Sequence, residues 1–348
     1  MNIGCDPEFF FRKDGKIIGS EQVLPKDGWH WIDRSWSIVR DGVQAEIHPC
    51  FANTCLGNWG SSWFGMMGAF GAWLRRKHPG VECVFHPSTL TLSDEEFASL
   101  SPESRKLGCM PSKNVYDSGA TISVPADYPV RSGGGHIHFG VSLNGPPEPY
   151  VVMLDVYLGT LGVLMDRDPR AAERRTVYGR AGEFRTPKHG LEYRTLSNFW
   201  MRAWPIGSLL FQVGRAVINS INYSSWNAQA GRYISGPESA LYQSTVSAIS
   251  IDRVREAINT NNFEMALENW GKIKELMRSG VDWMHNLRSV IGGEYTSYLD
   301  HFIAKGLDHW WPVDGVLARW ASHDNGHRGG QWFLAGAVKT DMMKEKAA

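Results

Sequence analysis

Strands come first in this chain and helices last, and that order is the strongest constraint on its fold. Over the first fifty residues short apolar runs alternate with turn signals. "IGCDPEFFFRKDGKIIGS" predicts a hairpin around Asp14-Gly15, and "SIVRDGVQAEIHPCF" a strand pair turning at Asp41-Gly42. From Leu56 to His78 the apolar spacing becomes helical, and the basic end "RRKH" before Pro79-Gly80 supplies a stop. A strand is expected at "VECVFHP", a short helix opens at the N-cap and acidic turn Ser93-Asp94-Glu95-Glu96, and another helix runs from about Pro149 to Asp166. From Asn198 onward the pattern is mostly helical. This order predicts an α+β chain whose antiparallel sheet carries polar faces and whose helices cover the other side. The expected division is a sheet region over 1–200 and a mainly helical region over 201–348, packed on the same domain.

Composition narrows the partners. The 348 residues are 43% hydrophobic and 21% charged, ample for one large core or two smaller ones. Lys plus Arg and Asp plus Glu both number 36, so no global field draws the chain to nucleic acid or to an anionic membrane. No uninterrupted apolar run approaches the length of about 18 residues that a membrane span needs. The N-terminus "MNIGCDPEFFF" has no basic region followed by an apolar core, so a soluble, cytoplasmic protein is expected. Cys5, Cys50, Cys55, Cys83 and Cys109 are odd in number and form no CxxC pair, which fits reduced thiols better than a disulfide frame or a zinc site.

The stretch "GGGHIHFG" sets Gly133 to Gly135 against two histidines. On a strand His136 and His138 share one face while Ile137 and Phe139 share the other. Same-face positions lie roughly 6.5 Å apart, which favours one imidazole over two as ligand to a small cation. The glycines either let a polyanion approach the backbone or mark a loop before the strand. Either histidine serves as a metal or catalytic group or as a hydrogen-bonded structural one.

Other polar residues are also spaced by two on expected strands: Asp6 with Glu8, Glu46 with His48, Glu183 with Arg185, and Glu192 with Arg194. Carboxylates crowded on one sheet face repel one another unless cations bind between them, and magnesium or manganese suits oxygen ligands with an occasional imidazole. Arg174, Arg175, Arg180, Arg185 and Arg194 follow closely, and guanidinium forks meet phosphate oxygens bidentately. Metals opposite arginines would cradle the phosphates of a nucleoside triphosphate. For "AAERR" surface ion pairing is the expected role, whereas "EFR" and "EYR" beside glycines and apolar residues point to function. There is no P-loop, Rossmann fingerprint, kinase motif or HExxH, so ATP needs another scaffold and a zinc protease is disfavoured.

In order, "GCDPEFFF", "DGVQAEIHP", "GGGHIHFG" and "YGRAGEFRTPKHGLEYRTLSNFW" resemble the glutamine synthetase superfamily, and within it the phage-type carboxylate-amine ligases (COOH-NH2 ligase type 2). The resemblance covers roughly residues 3 to 200. It implies a glutamine synthetase-like catalytic sheet and an ATP-dependent ligase that forms an amide through an acyl phosphate at a magnesium site. Carried over by position, it assigns Asp6, His136 and Glu192 to one metal and Glu8 and Glu46 to another. Arg180 and Arg185 would grip the triphosphate, Arg194 would stabilise the transferred phosphoryl group, and His138 would hydrogen-bond or line the substrate side. The second metal is a ligand short unless Asp41 or water serves. The implied partners are a small-molecule or peptide carboxylate and an amine, a modified nucleobase included, in the cytoplasm of a phage-infected cell and in a chain compatible with homo-oligomers. The rivals are a phosphotransferase on the same fold and a non-catalytic phage binding or structural protein.

Overall fold

The computed structural model describes residues 1–51, 56–106, 112–117, 128–229, 231–279, 285–321 and 330–347. The early strands are β1 (Asn2–Cys5), β2 (Glu8–Lys13), β3 (Lys16–Ile18), β4 (Trp29–Trp31), β5 (Asp33–Asp41), β6 (Gln44–His48) and β7 (Val81–Val84). After the helix Leu56–Lys77 and these strands come β8 (Thr89–Thr91), β9 (Lys113–Asn114), β10 (Val130–Ser132), β11 (Ile137–Gly140), β12 (Glu183–Arg185) and β13 (Gly190–Tyr193). They make two principal antiparallel sheets, where a single one was expected. One has the order β1-β11-β13-β12-β9 and the other β3-β2-β6-β5-β4, with β7 also on β2.

The division occurs inside "CDPEF". Pro7 has no N–H to give a ladder, so the chain leaves the first sheet after Cys5 and enters the second at Glu8. Asp6 and Glu8 therefore do not share one strand face, as the spacing suggested. The crossing is welded by backbone bonds from Glu8 N to Gly134 O and from Ile47 N to Pro7 O, at 2.9 and 3.0 Å. Gly133 to Gly135 lie within this weld. A side chain at Gly133 would meet Asn198 and one at Gly135 would meet Ser197 and Trp200, so these two glycines answer to the protein's own packing.

Both expected turns form. Asp14 and Gly15 take positive φ between β2 and β3, and Gly42 does so between β5 and β6. Ser93 caps the helix Asp94–Ser99 in a capping box with Glu96.

Alternation then decides what is buried. On the first sheet Ile3, Cys5, Ile137, Phe139, Phe184, Leu191 and Tyr193 point into the core. On β2, Phe9 and Phe11 meet Phe70 of the helix Leu56–Lys77, each ring worth about 1.5–3 kcal/mol when buried. The segment Glu148–Met165 is apolar and long enough for a membrane span, but 89% of it is buried inside the protein. It contains a π-helical turn, Asp155–Gly159, whose Asp155 accepts bonds from Tyr193 and Tyr116 at 2.7 and 2.9 Å. The helix Trp204–Asn222 closes the same layer, with Gly214 against Phe139. One apolar cluster runs from Ile3 to Val338 and takes residues from both sequence regions. The later region also holds an unforeseen hairpin, Ser225–Asn227 with Arg232–Ile234. Cys5, Cys50 and Cys83 are free thiols; Cys55 and Cys109 lie outside the described residues.

Candidate active site

Strand register builds the polar face. His138 lies opposite Glu192, and Glu192 opposite Arg185, so three neighbouring strands set imidazole, carboxylate and guanidinium in one row. Glu183 and Arg194 continue it, since Arg194 N donates to Glu183 O at 3.1 Å. "EFR" and "EYR" thus share a face, as period two requires.

Asp6, at the end of β1, reaches over this row. Its Oδ1 is 3.1 Å from His136 Nδ1, and its Oδ2 is 3.0 Å from His138 Nε2. His136 precedes β11 rather than belonging to it, which lets both imidazoles approach one carboxylate despite the spacing along a strand. Glu192 Oε1 lies 3.6 Å from His136 Nδ1 and is bound by Arg194. Ligand atoms of Asp6, His138 and Glu192 fall within 4.8 Å of one another. Asp6 Oδ1, His136 Nδ1 and His138 Nε2 are buried, yet none makes a hydrogen bond of acceptable geometry. Buried polar atoms that converge without bonding are what a cation would satisfy. Burial alone would raise the Asp6 carboxyl, and the two imidazoles reverse this and hold it well below the usual range. His136 is pushed down to about 4, by burial first and then by Arg194.

The second group sits on the other sheet. Glu8 and Glu46 are cross-strand partners on β2 and β6, and their oxygens lie within 4.8 Å of each other and of Asp41. Gly134 N and Gln44 Nε2 donate to Glu8 Oε2 at 2.8 and 3.3 Å. Burial and the Asp41 and Glu46 charges push Glu8 up to about 8. Asp41 is raised by burial and by Asp6, and drawn back by His48, Arg194 and Arg185. The two groups therefore share one electrostatic space, bridged by Asp6-Pro7-Glu8, and Asp41 joins the carboxylates that the resemblance assigned to the second ion.

The arginines divide by partner. Arg185 Nη1 is 3.8 Å from Glu192 and partly exposed, whereas Arg194 is buried and donates to the Tyr178 hydroxyl at 3.0 Å. Gly182, at positive φ, bends the chain between Arg180 and Arg185. Arg180, however, lies against Glu183 and Asp117, at 3.3 and 3.6 Å. Arg174 and Arg175 are not surface ion pairs. Both are buried, Arg174 donating to Thr195 O and Leu196 O at 3.0 Å and Arg175 bonding Ile258 O and Asn261.

Sequence reasoning missed Tyr178, whose hydroxyl touches both His136 and Arg194, and His189, whose Nε2 is 3.2 Å from His138 Nδ1. Both stand inside the quoted "YGRAGEFRTPKHGLEYR", but no period links them to the row they support.

Residues 114–284 match the family model described as Phage phiEco32-like COOH.NH2 ligase-type 2. That span, just under half of the chain, is similar to this family. By its description this is a family of carboxylate-amine ligases, which supports an enzyme of that general kind. The matched span holds His136, His138, Arg180, Arg185, Glu192 and Arg194 and runs past residue 200, into the helical region where no resemblance was read. It begins after Asp6, Glu8 and Glu46. No curated protein matches the chain.

Proposed function

We propose that this ligase uses ATP and magnesium to join a carboxylate to an amine through an acyl phosphate, on a glutamine synthetase-like scaffold. The observation that carries the reading is the meeting of two carboxylate groups at Asp6-Pro7-Glu8, beside Arg185 and Arg194. Asp6, His138 and Glu192, with His136 beside them, would hold one ion, and Glu8, Asp41 and Glu46 the other. Two imidazoles also suit manganese. Bound magnesium supplies the positive charge that lets an anionic carboxylate approach a triphosphate.

The chain's own residues supply the rest. Arg185, the more exposed fork, would grip the nucleotide phosphates, with Arg180 at the outer edge. Arg194, fixed by Glu192 and Tyr178, would face the phosphoryl group in transfer. The substrate carboxylate oxygen attacks the γ-phosphorus as the bond to ADP breaks. The amine nitrogen then attacks the acyl carbon, and phosphate leaves with that oxygen while the nitrogen sheds a proton. The reaction would run in the cytoplasm of a phage-infected cell.

An acid labelled with oxygen-18 tests this directly. Labelled inorganic phosphate, released only with acid, amine, ATP and magnesium together, is the expected result. A stable phosphorylated product would make the protein a phosphotransferase, and no turnover with any acid and amine pool would leave it a scaffold. Glu192→Gln should abolish metal-dependent turnover while the fold survives.

A further inference from the structure

Away from the sheet seam, the C-terminal helices bring together a second set of ligand-type side chains. His301 lies on the helix Glu294–Lys305, His309 on the turn Leu307–Trp310, and Asp341 and Glu345 on the helix Gly330–Ala347. Asp341 and Glu345 are four residues apart and so share a helix face. Asp341 Oδ2 is 3.1 Å from His301 Nε2 and 3.5 Å from His309 Nε2. Glu345 Oε2 is 4.0 Å from His301 Nε2, while Lys305 holds the other oxygen, Oε1.

A plain ion pair needs one cationic partner for Asp341. Two imidazole nitrogens from separate elements converge on the same carboxylate oxygen instead, and only that of His301 is aligned as a hydrogen bond. Around a tetrahedral ion with ligand bonds of about 2.0–2.1 Å, neighbouring ligand atoms stand about 3.3 Å apart. The two shorter separations bracket that spacing. The Trp310 ring packs at a steep angle to both imidazoles, at centroid distances of 4.8 Å from His309 and 6.0 Å from His301.

We propose that His301, His309 and Asp341, with Glu345 as fourth ligand, bind a zinc ion that pins the helix Gly330–Ala347 to the helix Glu294–Lys305 and the turn Leu307–Trp310. Two imidazoles with two carboxylates are a donor set that zinc takes readily. Two carboxylates neutralise the ion, and Lys305 on Glu345 Oε1 orients Oε2 toward it. This site is independent of the ligase reading and shares no residue with it.

The test titrates zinc into the full-length protein while following hydrogen exchange across 336–347, with zinc content counted by equilibrium dialysis. Zinc should slow exchange in that helix and magnesium should not. His301→Ala and Asp341→Asn should each lose one zinc equivalent, or weaken it by at least about tenfold. If either variant fails to fold, His309→Ala, at a partly exposed position, reports the same loss. Exchange unchanged by zinc, or variants that retain the full zinc count at wild-type affinity, would reduce the cluster to an ion-pair network and overturn the proposal.

Discussion

Glu8 and Glu46 stand directly opposite each other on β2 and β6, two carboxylates where a sheet ordinarily pairs neutral or complementary side chains. Asp41 crowds the same space, and burial raises all three groups. The arrangement costs stability in the absence of a cation. Glu46→Gln should therefore raise metal-free stability by about 0.2–1 kcal/mol, while the thermal shift on adding magnesium shrinks. Melting curves in EDTA and in magnesium measure both. A variant that melts lower than wild type in EDTA would mean that the Glu46–His48 pair outweighs the repulsion.

Gly134 is the glycine of the weld that faces the site. A Cβ there would come 2.7 Å from His136 Nε2 and 3.1 Å from the Tyr178 hydroxyl. Gly134→Ala should keep the fold but turn His136 away from Asp6, weakening divalent-ion binding about tenfold or more. Calorimetry with manganese would read this, and unchanged affinity would remove His136 from the ligand set.

Arg174 and Arg185 predict opposite outcomes for the same substitution. Arg174→Lys loses a fork that satisfies two buried carbonyls, and should cost about 1–3 kcal/mol in chemical denaturation. Arg185→Lys should leave the denaturation midpoint in place and lower turnover, by up to about 100-fold if its fork serves the phosphates. A stability loss at Arg185 equal to that at Arg174 would count against a phosphate role.

Asp155 makes a pH prediction. Burial pushes its carboxyl up to about 7, against hydrogen bonds from Tyr193, Tyr116, Gly182 and Thr195 that lower it. The folded state therefore holds the proton more tightly than the unfolded chain, whose aspartate titrates near 3.8. Its contribution to stability is full below about pH 4 and is lost as pH rises through about 7. Asp155→Asn has nothing to lose in that window, so wild-type stability relative to the variant should fall across it by on the order of 4 kcal/mol. Urea titrations at a series of pH values measure the difference, and a flat one would mean that Asp155 stays ionised at low pH.

Much of the site was legible because strand alternation is local. "EFR", "EYR" and "HIH" declare which residues share a face without reference to any neighbour, and Asp-Gly turns declare where strands reverse. Glu192, Arg194, Arg185 and His138 were identifiable on those grounds. The helices that bury the back of the first sheet were legible too, whereas alternation set Glu8 beside Asp6 and only register set it beside Glu46.

What the sequence by itself determined was the alternation, the turns, the helical segments and the crowding of carboxylates and arginines near them. Only the tertiary structure decided that Asp6 and Glu8 belong to different sheets, that His136 and His138 meet on one carboxylate, and that Arg174 and Arg175 hold backbone carbonyls. It also decided that Tyr178 and His189 stand behind the site. Period two states which way a side chain points, but not which strand lies beside it. That depends on register between segments more than a hundred residues apart, as for Glu8 and Gly134, and register is set by packing the whole core at once.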